Sequence, residues 1–300
     1  MAVRYTIIGK QSNGYILWLL AVLVLVFIGL YAAHYMEVEG HHVTGMNNRV
    51  VWGIPHVFAV FLIVTASGAL NVASIASVFG QQAYKPLSRL SGLLAIALLV
   101  GGLFILVLDL GRPERLIVAM TTYNFKSIFA WNIFLYTGFI ALVIIYLWLL
   151  FERRFNQYSK LVGVIAFVWR IILTTGTGSI FGFLVARQAY DAALLAPLFV
   201  AMSLAFGTAA FIIGLRALYR CTNRSLDDEY LLRLGKLLGI FVAAVLYLTL
   251  SYHLTNLYAT EHHGVERFIL LEGGIYTTLF WLGQIILGCL VPLLVLFLLR

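Results

Sequence analysis

Eight long apolar runs punctuate the chain, at 15–35, 52–79, 91–108, 128–150, 161–186, 194–218, 232–258 and 274–299. Their apolar positions are continuous rather than alternating, so each predicts a helix. A crossing takes about 20 mostly apolar residues, and in lipid only helices or closed barrels satisfy their own backbone groups. The pattern therefore predicts an all-α, polytopic membrane protein. The first run follows Arg4 and Lys10 in the manner of a signal peptide, but it is long and no small-residue cleavage site closes it, so it reads as an uncleaved helix.

The second run is dense in small residues from Thr65 (TASGALNVASIAS), which lets helix backbones approach closely and places it inside a bundle. It opens at Pro55 and carries Gly68-Ala69; the sixth opens at Pro197 and carries Gly207-Thr208-Ala209 at a similar depth. That faint repeat predicts two four-helix-bundle-like units plus an extra N-terminal helix. The expected division is 1–50 for the N-terminal helix and an outer loop, 51–190 for the first bundle, and 191–300 for a second bundle lacking its last helix or helices.

Composition agrees with the pattern: 62% of residues are hydrophobic and 11% charged, against roughly 25% charged in soluble domains. The net charge of +8 suggests nucleic acid only until its placement is read. Thirteen of the twenty Lys and Arg fall at the N-terminus, in the loops 80–90, 151–160 and 216–236, and at Arg300, while the alternate loops hold six. This is a topology signal that puts both ends in the cytoplasm. All seven histidines and eight of the twelve acidic residues then fall on the outer side or in the outer half of a helix.

Chemistry concentrates in the stretch 106–131, LVLDLGRPERLIVAMTTYNFKSIFAW, which sets Asp109, Arg112, Glu114, Arg115, Asn124, Lys126 and Ser127 between two apolar runs. A charge at the centre of a membrane helix costs roughly 2.5–3.5 kcal/mol, less near the interface. The cluster reads either as a site or as a polar loop in which Asp109 and Arg112 form an interfacial ion pair. His56 lies inside a span and is harder to assign to a loop. Arg170 sits nine residues into the fifth run, roughly 13 Å along the axis. It either faces the interior beside Thr174 and Thr175 on a proton or ion path, or is interfacial because the helix begins near Val168. The following TTGTGS patch is either a cavity wall or a close-packing face. Cys221 and Cys289 are too few for the thiolates of an iron–sulfur cluster.

The segments VWGIPHVFAVFLIVTASGALN (50–71), LDLGRPERL (108–116), YNFKSIFAWN (123–132), TGSIFGFLVAR (177–187) and FWLGQIILGCLVPLL (280–294) together resemble the NrfD/PsrC family of polysulfide reductase membrane subunits, most of all its DsrP-type branch. The resemblance implies a subunit of the bacterial cytoplasmic membrane with no iron–sulfur cluster or haem of its own. It implies binding of a quinone or quinol, menaquinone or ubiquinone, near the periplasmic face. The expected partner is a periplasmic ferredoxin-like subunit with [4Fe–4S] clusters, with a c-type cytochrome or a molybdopterin subunit as further members. His56 matches the family's quinone-site histidine, while Gly53 and the Gly176-Thr177 region stand where the family has an asparagine and a tyrosine.

On that implication His56 is a proton acceptor for quinol, since imidazole exchanges protons near neutrality. Asp109 orients it or relays its proton, and Arg112 holds Asp109 ionised or polarises a quinone oxygen. Asn124, Lys126 and Ser127 are further donors to the quinone. Trp52, Phe129 and Trp131 flank its ring or belong to the interfacial aromatic belt. Asp109, Arg170 and Thr174 are the expected proton path. The alternatives are a haem b cytochrome using His34, His56 or His253, and an ion-translocating protein without a redox role.

Overall fold

The structure, a computed structural model, describes residues 13–221 and 228–297. Arg4, Lys10, Arg224, Arg300 and the expected end of the last run at 299 lie outside them. The described residues form helices and turns without strands, and eight helices are long and apolar enough to cross a membrane. They are α1 Gly14–Glu39, α2 Ile54–Ser77, α3 Ala83–Leu108, α4 Ile128–Phe151, α5 Arg153–Gly182, α6 Leu195–Cys221, α7 Asp228–Tyr258 and α8 Ile275–Phe297. The fifth helix stops at Gly182 rather than at 186. Phe183 N–H and Leu184 N–H bond back to Ser179 and Phe181 carbonyls, and the returning Ala192 carbonyl occupies the space beside Gly182.

α2 is the hub, packed against α3, α5 and α6; α4 closes the first group against α3 and α5, α7 packs on α6, and α8 on α7. The main core lies between α2, α3, α4 and α5, built on Ile63, Ala66, Leu99, Phe139, Val143 and Leu173. None of the apolar window of α1 is buried, so that helix stands off the bundle. The small-residue run of the second span has a direct structural meaning. A Cβ added to Gly68 would strike the Ser203 carbonyl oxygen, and one added to Gly207 would strike the backbone of Gly68 and Ala69. The two glycines that align in the sequence repeat are thus the point where α2 and α6 cross backbone to backbone.

Just beyond the crossing the regular hydrogen-bond ladder of α2 is interrupted at Leu70, the cap between Ile54–Ala69 and Asn71–Ser77. Ser91 of α3 is the cause: its hydroxyl donates to the Ala69 carbonyl at 2.7 Å and accepts from Ala73 N–H at 3.2 Å. It stands where the Ala73-to-Ala69 bond would otherwise close, an insertion of the kind that bends helices. Asn71, brought inward, donates to the Leu204 carbonyl (3.1 Å) and to Thr208 Oγ1 (2.8 Å) on α6.

The crossing makes a testable contrast. Gly68→Val should cost about 1–3 kcal/mol or more through overpacking, read as a lower thermal midpoint of the solubilised protein. At Gly101, where the nearest atom to an added Cβ is Leu62 Cδ1 at 3.9 Å, Ala should be neutral or gain up to about 1 kcal/mol of helix propensity. Equal effects at the two positions would contradict the crossing.

Candidate functional site

The first turn of α2 and the residue that caps α3 meet at one end of the bundle. Pro55 sits where its missing N–H is no loss and its fixed φ suits helix entry. His56 follows, its N–H bonded to the Gly53 carbonyl at 3.1 Å. Asp109 caps α3, its N–H bonded to the Ile105 carbonyl at 3.0 Å. Because the two helices are packed side by side, His56 Nδ1 lies 3.3 Å from Asp109 Oδ2. The Asp109 side chain is 4% exposed and that of His56 15%, and the other carboxylate oxygen, Oδ1, is buried without a hydrogen-bond partner.

An aromatic wall backs the pair. Trp52 stacks on the His56 ring, centroids 5.0 Å apart and planes within 4°. It meets Phe181 edge-on at 5.3 Å and Tyr190 at 6.0 Å. Burial pushes the Tyr190 hydroxyl above its ordinary phenolic range, and Arg187 pulls it back. Of the aromatics named from sequence, Trp52 therefore flanks the histidine.

The other sequence candidates lie elsewhere. Arg112 is exposed, and no ion pair joins it to Asp109; Asp109 turns inward to His56 while the chain leaves α3 through the exposed Gly111-Arg112 turn. Of the two readings of Asp109, the structure has it beside His56 and not paired with Arg112. Asn124 and Lys126 are exposed and Ser127 is half-buried. The Asn124 side chain accepts from Lys126 N–H at 3.1 Å, a local turn contact. Trp131 donates to the Phe125 carbonyl at 2.9 Å and packs in an exposed cluster with Phe125 and Phe134. Among the described residues, no hydrogen bond, ion pair or ring contact brings these four to His56 or Asp109.

Arg170 faces the interior. It is 1% exposed, within the helix that runs unbroken from Ser159. Its Nη1 donates to the Ser67 carbonyl at 3.3 Å, its guanidinium lies 4.8 Å over the Phe167 ring, and Nε has no partner. Ser67 and Thr174 hydroxyls meet at 2.6 Å beside it. The TTGTGS patch is a packing face: Gly178 lies against Leu195 and Ala196 backbone, Gly176 against Leu135 and Asn132, and Asn132 donates to the Gly176 carbonyl at 3.2 Å.

Sequence reasoning missed a second carboxylate cluster. Glu266, with no exposed surface, accepts from Asn256 Nδ2 at 2.8 Å and lies 2.7 Å from His253 Nδ1. The available signal was the spacing of His253 and Asn256, which puts both on one face of α7 near its end, with an acid following in the next polar segment. Beside this cluster lies a cavity of about 440 Å³ lined by residues of α5, α6, α7 and α8, with Phe181 and Tyr190 of the aromatic wall among them.

A family model described as Polysulphide reductase, NrfD, matches residues 42–300. The chain is 27% identical over 297 residues to the Hdr-like menaquinol oxidoreductase integral membrane subunit of Archaeoglobus fulgidus, covering 98% of this chain and 74% of that protein. It is 23% identical over 308 residues to a selenate reductase subunit of Mesobacillus selenatarsenatis, with coverage of 90% and 72%. It is 26% identical over 280 residues to Protein NrfD of Escherichia coli, with coverage of 82% and 84%. Since the family match takes in all of α2 to α8 and the eight helices have membrane-crossing length, the chain belongs to the NrfD family of polysulphide reductase proteins and is a multi-pass integral membrane protein.

Proposed function

We propose that this protein is the quinol-oxidising membrane subunit of a respiratory oxidoreductase, with His56 and Asp109 as its proton-accepting pair. The observation that carries the reading is the contact between His56 Nδ1 and Asp109 Oδ2, with a second buried carboxylate oxygen left unpartnered. Quinol oxidation releases two protons and two electrons. When the Nδ1 proton is held by Asp109, the opposite ring nitrogen of His56 is free to accept a hydroxyl proton from the quinol, and the carboxylate stabilises the imidazolium that forms. The unpartnered Asp109 oxygen supplies a further acceptor for the second hydroxyl or for a water that carries the proton away. The two electrons pass to an iron–sulfur subunit docked at the His56 end.

The relative named as a menaquinol oxidoreductase subunit and the one named as a selenate reductase subunit support a quinol substrate and membership of a multi-subunit complex. We take the quinone type to be menaquinone or ubiquinone. The DsrP-type branch and a role in sulfur-compound metabolism belong to the same reading, as do c-type cytochrome or molybdopterin partners. The bacterial cytoplasmic membrane belongs to the same reading, and the charge asymmetry of the loops supports an orientation with the His56 end facing outward and both chain ends inside. Arg112, Asn124, Lys126, Ser127 and Trp131, around that end, are then placed for the docked partner or the quinone's entry rather than for the proton transfer itself. Arg170 and Thr174 form the inner half of a proton path.

His56→Ala and Asp109→Asn should each lower quinol-dependent reduction of the partner by about 10²–10⁴-fold while the complex still assembles. Wild-type rates in both would contradict the assignment. Thr174→Val, which removes a hydroxyl at nearly constant volume, should lower the number of protons moved per quinol oxidised in sealed vesicles; an unchanged ratio would confine Arg170 and Thr174 to packing.

A further inference from the structure

We propose that the cavity between α5, α6, α7 and α8 is a second binding pocket, distinct from the His56–Asp109 pair, for a hydroxylated aromatic ring of the quinol class. The choice of ligand rests on the quinol reading above; the existence of the pocket does not. Its volume of about 440 Å³ is within the range of small-molecule sites, which are mostly apolar with a few placed polar groups. The lining follows that recipe: Phe181, Phe199 and Phe280 supply aromatic faces, and Thr249, His253 and Gln284 supply the polar groups.

Two features mark it as built to hold a ligand rather than as a packing fault. The Thr249 side chain is 1% exposed and its hydroxyl has no hydrogen-bond partner, although a buried hydroxyl left unpaired costs free energy. Thr249 and His253 are also four residues apart on α7 and so share one face of the helix. His253 is held in a single orientation, since its Nδ1 is engaged by the fully buried Glu266, itself tied to Asn256, and Phe280 packs edge-on at 4.7 Å. With the carboxylate holding the Nδ1 proton, the opposite nitrogen is an acceptor, which selects a ligand that donates an O–H. A lipid acyl chain would use none of these groups.

The local backbone points the same way. Phe280 and Gln284 sit in the π-helical stretch Leu279–Leu290, and π geometry is rare and concentrates at functional sites. Phe181 and Tyr190 line this cavity and also contact Trp52. These two rings therefore link the lining of the cavity to Trp52, which stacks on His56.

The test is the number of binding sites for a heptyl hydroxyquinoline N-oxide, a fluorescent quinol analogue, on the full protein purified with the subunits that accompany it. His253 is left intact because its removal would strand the buried Glu266. The unmodified protein should bind two analogues per chain. The double variant Thr249→Val, Gln284→Leu should retain one site and bind the other about tenfold more weakly or not at all, and His56→Ala should lose the complementary site. A single site that disappears in His56→Ala and is untouched in the double variant would overturn the second pocket. A single site lost only in the double variant would support it and overturn the placement of quinol at His56. Two sites unaffected by the double variant, or no binding, would also overturn it.

Discussion

The approach of Gly68 to the Ser203 carbonyl is the constraint on which the arrangement of this protein depends. In a bilayer the lipid is as apolar as the helix surface, so helices associate through close packing and hydrogen bonds rather than by escaping water. The glycine crossing presses α2 and α6 together. It lets Asn71 reach the Leu204 carbonyl and Thr208, and it fixes the depth and direction of the whole α2 helix. The N-terminal end of that helix is the part that carries function: Trp52 reaches Phe181 and Tyr190, and His56 reaches Asp109.

The interior is organised by the need to pair the polar groups that leave water. Ser91 is inserted into the ladder of α2, Asn132 serves the Gly176 carbonyl, and Ser67, Thr174 and Arg170 join α2 to α5. These contacts act as locks between helices. Two of the buried atoms left unpaired fall where chemistry is argued: Asp109 Oδ1 beside His56, and the Thr249 hydroxyl beside His253. Arg170 Nε is another, at the α2–α5 seam. A buried charge with carbonyl and ring contacts, and with no acidic partner among the described residues, is costly in lipid. Its position on that seam is what the proton-path reading draws on.

Much of the helical plan was legible because continuous apolar runs admit one solution in a membrane. The eight spans needed only length and composition, and the small-residue signature of the second span marked a helix that others approach closely. The repeat of Gly68 and Gly207 was visible as a pattern, yet its meaning as one crossing was not, since a repeat says nothing of which copies touch. At the site, His56 stood out because a polar group within an apolar run has few places to go, while Asp109 stayed open between a site and an ion pair with Arg112. Arg112, Lys126 and Trp131 could not be separated from them, because sequence proximity to Asp109 does not say which side chains turn inward at a loop. The His253–Glu266 cluster escaped notice for a related reason: Glu266 stands among polar loop residues, and only the fold of the segment after α7 brings it back under the helix end.

Photolabelling the native complex with an azido-quinone and mapping the labelled peptides would locate the bound quinone directly. Label is expected on the segments carrying Trp52–His56 and Asp109, competed away by unlabelled quinol. Label confined to lipid-facing residues of α1 and insensitive to competition would contradict it.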